Sequence, residues 1–407
     1  EIHPYYNYLI GPTKKQGYQV VYKNNDIKYT TQTSSIGSTV PIARPITHTS
    51  YVPFNNFDEN KITTGVPYTT FNIWDFSDDY YNYVEKKANK YRGPVTNPNV
   101  KNAAKIETVD DPYYGSQIAE HLHTRLSCSV FDVSHMAIVD LAGSRQKAFL
   151  QQTLANNIDK LSKDGQALYS CMLNHEGGII DDLIVYRMGD NYRLVINAAN
   201  ALKDLEWLDE QANNFNDLKI IPRRADLSNA HNPLVILAVQ GPHSSTQLAK
   251  LFPELNNALN QLKPFHSTVC ACAFGEIMFS RTGYTGEDGF ELFLTQGQAT
   301  ALWDALLQAG VLPAGLGARD TLRIEAGYNL YGQDMSLTTK PIDCGLSWTV
   351  DLQANRSFVG AQALRSSNQQ RALLGLVLLD KGVLRVHQEV ITNQGNGTIT
   401  SGTFSPS

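Results

Sequence analysis

The strongest constraint on the fold is a change of texture near residue 113. Downstream of it, apolar residues recur in some stretches at helical spacing and in others at every second position. Residues 118–126 read as a helix behind a Gly115-Ser116 start, because a serine at the entrance can accept from the first free backbone N–H groups. Val130-Phe131-Asp132-Val133 and Ala137-Ile138-Val139-Asp140-Leu141 alternate like strands. Ser144 is placed to cap a helix through Leu154, and residues 183–186 and 192–196 read as strands joined by Met188-Gly189-Asp190-Asn191. Residues 299–307 and 318–326 have the spacing of amphipathic helices. Helices and strands mix without strict βαβ alternation, which predicts an α+β fold rather than a doubly wound sheet. The chain has neither a G-x-G-x-x-G run nor a P-loop, so a nucleotide phosphate cradle is not expected.

Residues 1–112 differ. They are rich in Tyr, Asn and Thr, contain no Cys or Met, and carry short β-prone pieces such as Tyr18-Gln19-Val20-Val21-Tyr22 between Gly, Pro and Asn. This predicts a β-rich or irregular segment with no catalytic motif. Tyr80-Tyr81-Asn82-Tyr83 suits either a stacking surface for sugars or bases or, more simply, strand aromatics.

A chain of 407 residues predicts two to three domains, and 42% hydrophobic against 18% charged residues can bury a core. The net charge is −5 with no basic stripe, which argues against a nucleic-acid partner. No apolar run approaches the roughly 18–20 residues needed to span a bilayer, so no membrane partner is expected. Five scattered cysteines suit reduced thiols in a cytoplasmic compartment, or a mitochondrial matrix if the source is eukaryotic. Cys270 and Cys272 would share one face of a strand, but no second pair follows at ligand spacing. Two buried thiols and no metal are the expectation.

Three stretches can carry chemistry. In Gly177-Gly178-Ile179-Ile180-Asp181-Asp182, two glycines allow a tight turn and two carboxylates open an apolar strand. Consecutive strand residues face opposite ways, so the two aspartates are expected in different environments, one capping or solvated and one facing a cleft. A carboxylate against apolar walls gains proton affinity and suits proton transfer, although Asp pairs at strand starts are often turn formers. In Gly283-Tyr284-Thr285-Gly286-Glu287-Asp288-Gly289, a glycine-rich loop leads to a strand where Phe290, Leu292 and Leu294 alternate with Glu291 and Phe293. Glu291 there is either solvent-exposed or an acceptor for two parallel N–H groups. In Gly315-Leu316-Gly317-Ala318-Arg319-Asp320-Thr321-Leu322-Arg323, helical spacing puts Arg319 and Arg323 on one face, with Asp320 able to cap or pair. Arg at a helix start is poorly placed for the dipole, which hints at an anionic or hydrogen-bonding partner.

Together these stretches resemble the glycine cleavage T-protein (aminomethyltransferase) family. The likeness adds Tyr114-Gly115-Ser116-Gln117-Ile118, Phe131-Asp132-Val133-Ser134-His135-Met136, Val239-Gln240-Gly241-Pro242, Asn329-Leu330-Tyr331-Gly332 and Thr400-Ser401-Gly402-Thr403-Phe404-Ser405-Pro406, in order over residues 113–407. It implies a multi-lobed α+β core over 113–360 that binds tetrahydrofolate and needs no metal. It further implies that 361–407 begins a C-terminal β-barrel-like lobe which the chain leaves incomplete, while the family's usual lead is replaced by residues 1–112. The implied reaction moves a methylene group from the aminomethyl-lipoyl arm of a carrier protein of H-protein type to tetrahydrofolate, releasing ammonia. By this likeness Asp181 is the catalytic carboxylate, Glu291 and Arg319 bind the pterin, and Asn197, Met136 and Tyr169 line the pocket. His135 reads as pocket wall rather than general base. The alternatives are a folate-dependent demethylase or a non-catalytic folate-binding accessory protein of the iron–sulphur maintenance kind. The latter typically carries a Lys-Gly-Cys motif, where this chain has Lys381-Gly382-Val383.

Overall fold

A computed structural model of the chain describes residues 16–23, 26–33, 114, 116–227, 229–353, 356–379, 382–393 and 395–406. Residues 18–22 lie in β1 (Gln16–Lys23), which pairs antiparallel with β2 (Asp26–Thr33). Residues 80–83 lie outside the described residues.

In chain order, the strands of the main body are β3 (Ser129–Asp132), β4 (Ala137–Ala142), β5 (Ala167–Leu173), β6 (Ile179–Met188), β7 (Asn191–Ile196) and β8 (Lys219–Pro222). They are followed by β9 (Val235–Gln240), β10 (Ser267–Cys272), β11 (Gly275–Ser280), β12 (Gly289–Leu294) and β13 (Leu312–Pro313). They form a five-stranded antiparallel sheet, β5-β6-β7-β4-β8, and a six-stranded sheet, β10-β11-β12-β9-β3-β13, in which β13 alone runs parallel to its neighbour.

Alternation along the strands sets the layers. On β9, Leu237 and Val239 pack with Leu248, Phe252 and Trp303 of the helices outside the sheet. Ile236 and Ala238 point the other way, towards Ile138, Tyr186 and Val195 of the five-stranded sheet. The two sheets thus face each other across a shared core. The outer face of the five-stranded sheet is covered by the helices Gln146–Thr153 and Ala201–Ala212. The helices Ser244–Leu251, Asn256–Gln261 and Gln296–Gln308 cover the other. Phe290 and Leu292 are fully buried in that second layer, each stabilising the fold by about 1.5–3 kcal/mol. The helix Leu316–Glu325 inserts Ala318 and Leu322 into the shared core, which brings its N-terminal end to the space between the sheets.

Helix entrances show where local rules hold. Ser116 caps Gln117–Leu126 by accepting from the Ala119 N–H at 3.3 Å. Ser144 does not cap the next helix, whose N-cap is Arg145 without a side-chain bond. The Ser144 N–H instead donates to Asp217 at 2.7 Å, and Arg145 pairs with the same carboxylate at 3.0 Å. A charged acceptor within reach outcompetes a neutral cap. Gln296–Gln308 starts three residues before the expected position because Thr295 and Gln298 form a capping box. Cys270 and Cys272 also correct an expectation. β10 is an edge strand, and both thiols are half-exposed rather than buried.

Beyond the helix Ala361–Arg365 the chain changes character. Residues 367–379 form no regular element, and a small hairpin pairs β14 (Glu389–Thr392) with β15 (Gly395–Thr398). Leu374, Val377 and Leu379 are largely exposed. Among the described residues no helix is long and apolar enough to cross a membrane.

Candidate active site between the two sheets

The carboxylate pair begins at a turn that only glycine tolerates. Gly177 has φ +80°, and a Cβ on Gly178 would fall 1.7 Å from the Leu337 carbonyl oxygen. The close approach lets the 336–339 loop dock at the mouth of β6, with the Ile179 N–H donating to the Thr339 carbonyl at 3.0 Å. From there alternation resumes: Leu183 and Val185 face the helix layer, while Ile184 and Tyr186 face the other sheet. Asp181 keeps step with the first set and Asp182 with the second.

Asp181 is fully buried. Its Oδ1 accepts from Asn197 Nδ2 and Asn200 Nδ2, each at 2.9 Å, and its Oδ2 accepts from the Asn197 backbone N–H at 3.2 Å. Asp182 is half-buried on the inter-sheet side. Its Oδ1 accepts from Asn197 Nδ2 at 2.9 Å and its Oδ2 from the Tyr169 hydroxyl at 2.9 Å. The expectation of separate environments holds for the faces the two occupy and is corrected for their partners. The two carboxylates face opposite ways, yet one amide donates to both, because Asn197 follows the last β6–β7 pair, Leu183–Ile196. Neither is a solvated turn former. Desolvation first, and then the Asp181 charge, push the Asp182 carboxyl up to about 7.

Glu291 lies opposite, on the inter-sheet face of β12 beside Phe293, and accepts from the Thr282 hydroxyl. Burial raises its proton affinity. Arg319, in the first turn of Leu316–Glu325, lies over the Tyr284 ring at 4.4 Å from its centroid and feels the charge of Glu291. Arg323 on the same helix face does different work. It is buried and bound to Asp320 and Asp334 at 2.8 Å each, a structural hub. The two arginines that sequence places together are thus one locked and one stacked on a ring. Asp182, Tyr169 and Tyr284 lie within electrostatic reach of one another, which joins the two sides of the site.

Met136 is half-buried against the shared core. His135 beside it is held neutral: desolvation, and then the charges of Arg319 and Arg224, pull it down to about 4. Tyr169 stacks on Trp348, centroids 5.5 Å apart, and Trp348 is 61% exposed. A separate cavity of about 400 Å³, lined by Pro341, Val350 and Leu364 among others, contains no ionisable side chain and stands apart from this chemistry.

Tyr284, Thr282, Asn200 and Trp348 join the site without having been singled out. The motif residue Gln240 also finds its reason: it donates to the Thr282 carbonyl at 3.1 Å and accepts from the Thr285 hydroxyl at 2.8 Å, bracing the glycine-rich loop. The signal for Tyr284 was available, since it lies in that loop. Trp348 sits in a short turn with no periodicity to flag it.

Comparison with known proteins identifies the family. The model of the family "GCVT N-terminal domain" matches residues 62–354, beginning upstream of the change of texture at 113. A Cupriavidus necator protein named aminomethyltransferase is 56% identical over 299 residues, covering 72% of this chain and 80% of that one. A Nitrosomonas europaea aminomethyltransferase is 51% identical over 300 residues, covering 72% and 79%. The crystal structure of the glycine cleavage system aminomethyltransferase T from Bartonella henselae superposes with a TM-score of 0.63 at 36% identity, covering 72% of this chain and 78% of that one. These likenesses favour a transferase over the accessory-protein and demethylase readings. The chain belongs to the glycine cleavage T-protein family, the aminomethyltransferases.

Proposed function

We propose that Asp182, rather than its neighbour Asp181, is the carboxylate that handles the proton in this enzyme's reaction. The observation carrying this is directional. Asp182 faces the space between the sheets and holds Tyr169 and Asn197, whereas Asp181 is sealed on the helix side. A group poised near 7 at a cleft suits general acid–base work; a fully buried carboxylate held by three N–H groups suits support.

The second substrate we assign is tetrahydrofolate, seated between the sheets. The donor set fits it: Glu291 can accept from the amino and ring N–H edge of a pterin, and Arg319, held over the Tyr284 ring, can donate to a ring carbonyl. When bound, the folate supplies two nitrogens that form bonds to the methylene carbon as its bonds to nitrogen and sulphur break, so two N–H protons must move to ammonia and the thiol. Asp182 takes one of them. Asn197, Tyr169 and Met136 fix the position of that carboxylate and the wall behind it. We assign the aminomethyl donor to the lipoyl arm of a carrier protein of H-protein type, and the compartment to the cytoplasm, which suits five unpaired thiols. Residues 113–360 hold every site residue and form the catalytic core in this reading; 361–407, with the β14–β15 hairpin, begin a separate lobe.

The test mixes the protein with aminomethyl-loaded carrier protein and tetrahydrofolate and measures ammonia release. Asp182→Asn lowers turnover about 100- to 10,000-fold while folate binding persists. Unchanged turnover in that variant, with turnover lost in Asp181→Asn, would return the role to Asp181.

A further inference from the structure

Asp204 lies in the first turn of the helix Ala201–Ala212 and is fully buried. No N–H or hydroxyl among the described residues donates to either of its carboxyl oxygens. A buried carboxylate without a donor is untenable as an anion, so it keeps its proton. A neutral carboxyl has one O–H to place, and it needs an acceptor. The group it meets is Asp181, whose Oδ2 accepts only one weak backbone bond at 3.2 Å and has a lone pair to spare. Asn200, the residue at the entrance of the same helix, donates to the other oxygen of Asp181 and fixes the geometry from that side.

We propose that Asp204 is a neutral carboxylic acid that donates its proton to the Asp181 carboxylate, so that the pair carries one negative charge and, through Asn197, positions Asp182. Asp204 is thus a positioning residue two groups removed from the reacting atoms. The proposal rests on the reading of Asp182 above for its effect on turnover, but not for the protonation itself. The titratable groups within electrostatic reach of the pair are Asp182 from β6, Cys171 from β5 and Lys203 from the helix, the one cation among them. Lys203 reaches out to the Tyr331 hydroxyl at 3.3 Å and donates no hydrogen bond to the pair.

Infrared difference spectroscopy of the whole chain tests the protonation. At about pH 8.5, above the value near 7 for Asp182 and below the value near 10 to which desolvation and Asp181 push Asp204, the folded protein shows a protonated-carboxyl band. That band is lost in Asp204→Asn and kept in Asp182→Asn. Other buried carboxyls such as Glu291 can add bands of their own, so the reading is the difference between the whole chain and Asp204→Asn. If the two spectra show the same protonated-carboxyl intensity, the proposal is overturned, whatever the standing of Asp182. Turnover supplies the second arm. Asp204→Asn replaces one donor by another and keeps turnover within about threefold, with the acid limb of the pH profile in place. Asp204→Leu removes the donor and lowers kcat by about 10- to 100-fold, the cost of a hydrogen bond to a charged group, with the limb displaced upwards. An ionised Asp204 would behave differently: Asp204→Asn would then move the limb downwards, and that result also overturns the proposal.

Discussion

The two sheets share one architecture and divide the chemistry. The five-stranded sheet brings carboxylates and amides: Asp181, Asp182, Asn197 and Tyr169 form a hydrogen-bonded chain at the edge of β6 and β7. The six-stranded sheet and the helix beside it bring a single carboxylate and a guanidinium spread over a ring. The first is densely coupled; the second leaves donor and acceptor capacity unspent. A coupled cluster tunes where a proton resides, and unspent groups recognise a ligand. Damage to the two sides should therefore show up in different kinetic constants.

The sharpest way to break that division lies on the recognition side. Glu291→Gln replaces an acceptor of two N–H bonds with a neutral amide. It should weaken tetrahydrofolate binding by about 10- to 150-fold, the worth of a charged hydrogen bond, with kcat nearly unchanged. Equilibrium titration beside steady-state kinetics reads both. A fall confined to kcat would erase the distinction between the sheets. The proton side answers to pH. With Asp182 near 7 and acting as base, kcat/KM should drop tenfold per pH unit below that value. Asp181→Asn removes the neighbouring negative charge that helps raise Asp182, so the limb should move to lower pH. A profile flat between about pH 5 and 8 would count against Asp182 as the titrating group.

Much of the six-stranded side was legible in sequence, because period two is unbroken along β12. Phe290, Leu292 and Leu294 go to the helix layer, and Glu291 is left facing the cleft with Phe293. The five-stranded side was less legible. Alternation correctly separates Asp181 from Asp182 but does not say which face is the cleft. That depends on β6 lying against a sheet on one side and the Ala201–Ala212 helix on the other. The bulge at Ile180, between the pairs Met172–Asp181 and Leu173–Ile179, and the shared amide of Asn197 are tertiary facts with no local signature. Arg319 and Arg323 teach the same lesson. Their spacing gives a common face, but only the partners Asp334 and Tyr284, from other parts of the chain, decide which arginine is free for a ligand.

The smallest expected effect concerns the aromatic pair at the rim. Trp348 lies on Tyr169, which in turn holds Asp182. The indole is largely exposed and lies directly over a site residue. Its contribution to the ring beneath is the stacking itself, about 0.5–1.5 kcal/mol. Trp348→Ala should therefore change kcat/KM by only about two- to tenfold, through a looser Tyr169. Tyr169→Phe keeps the stack but removes the hydroxyl and should cost at least as much, all of it in kcat. Combining the two separates the routes. If Trp348 acts only through Tyr169, the double variant is no worse than Tyr169→Phe by more than about twofold. Fully multiplicative losses would instead mean that Trp348 touches a substrate directly, and the rim would belong to recognition as well as to proton transfer.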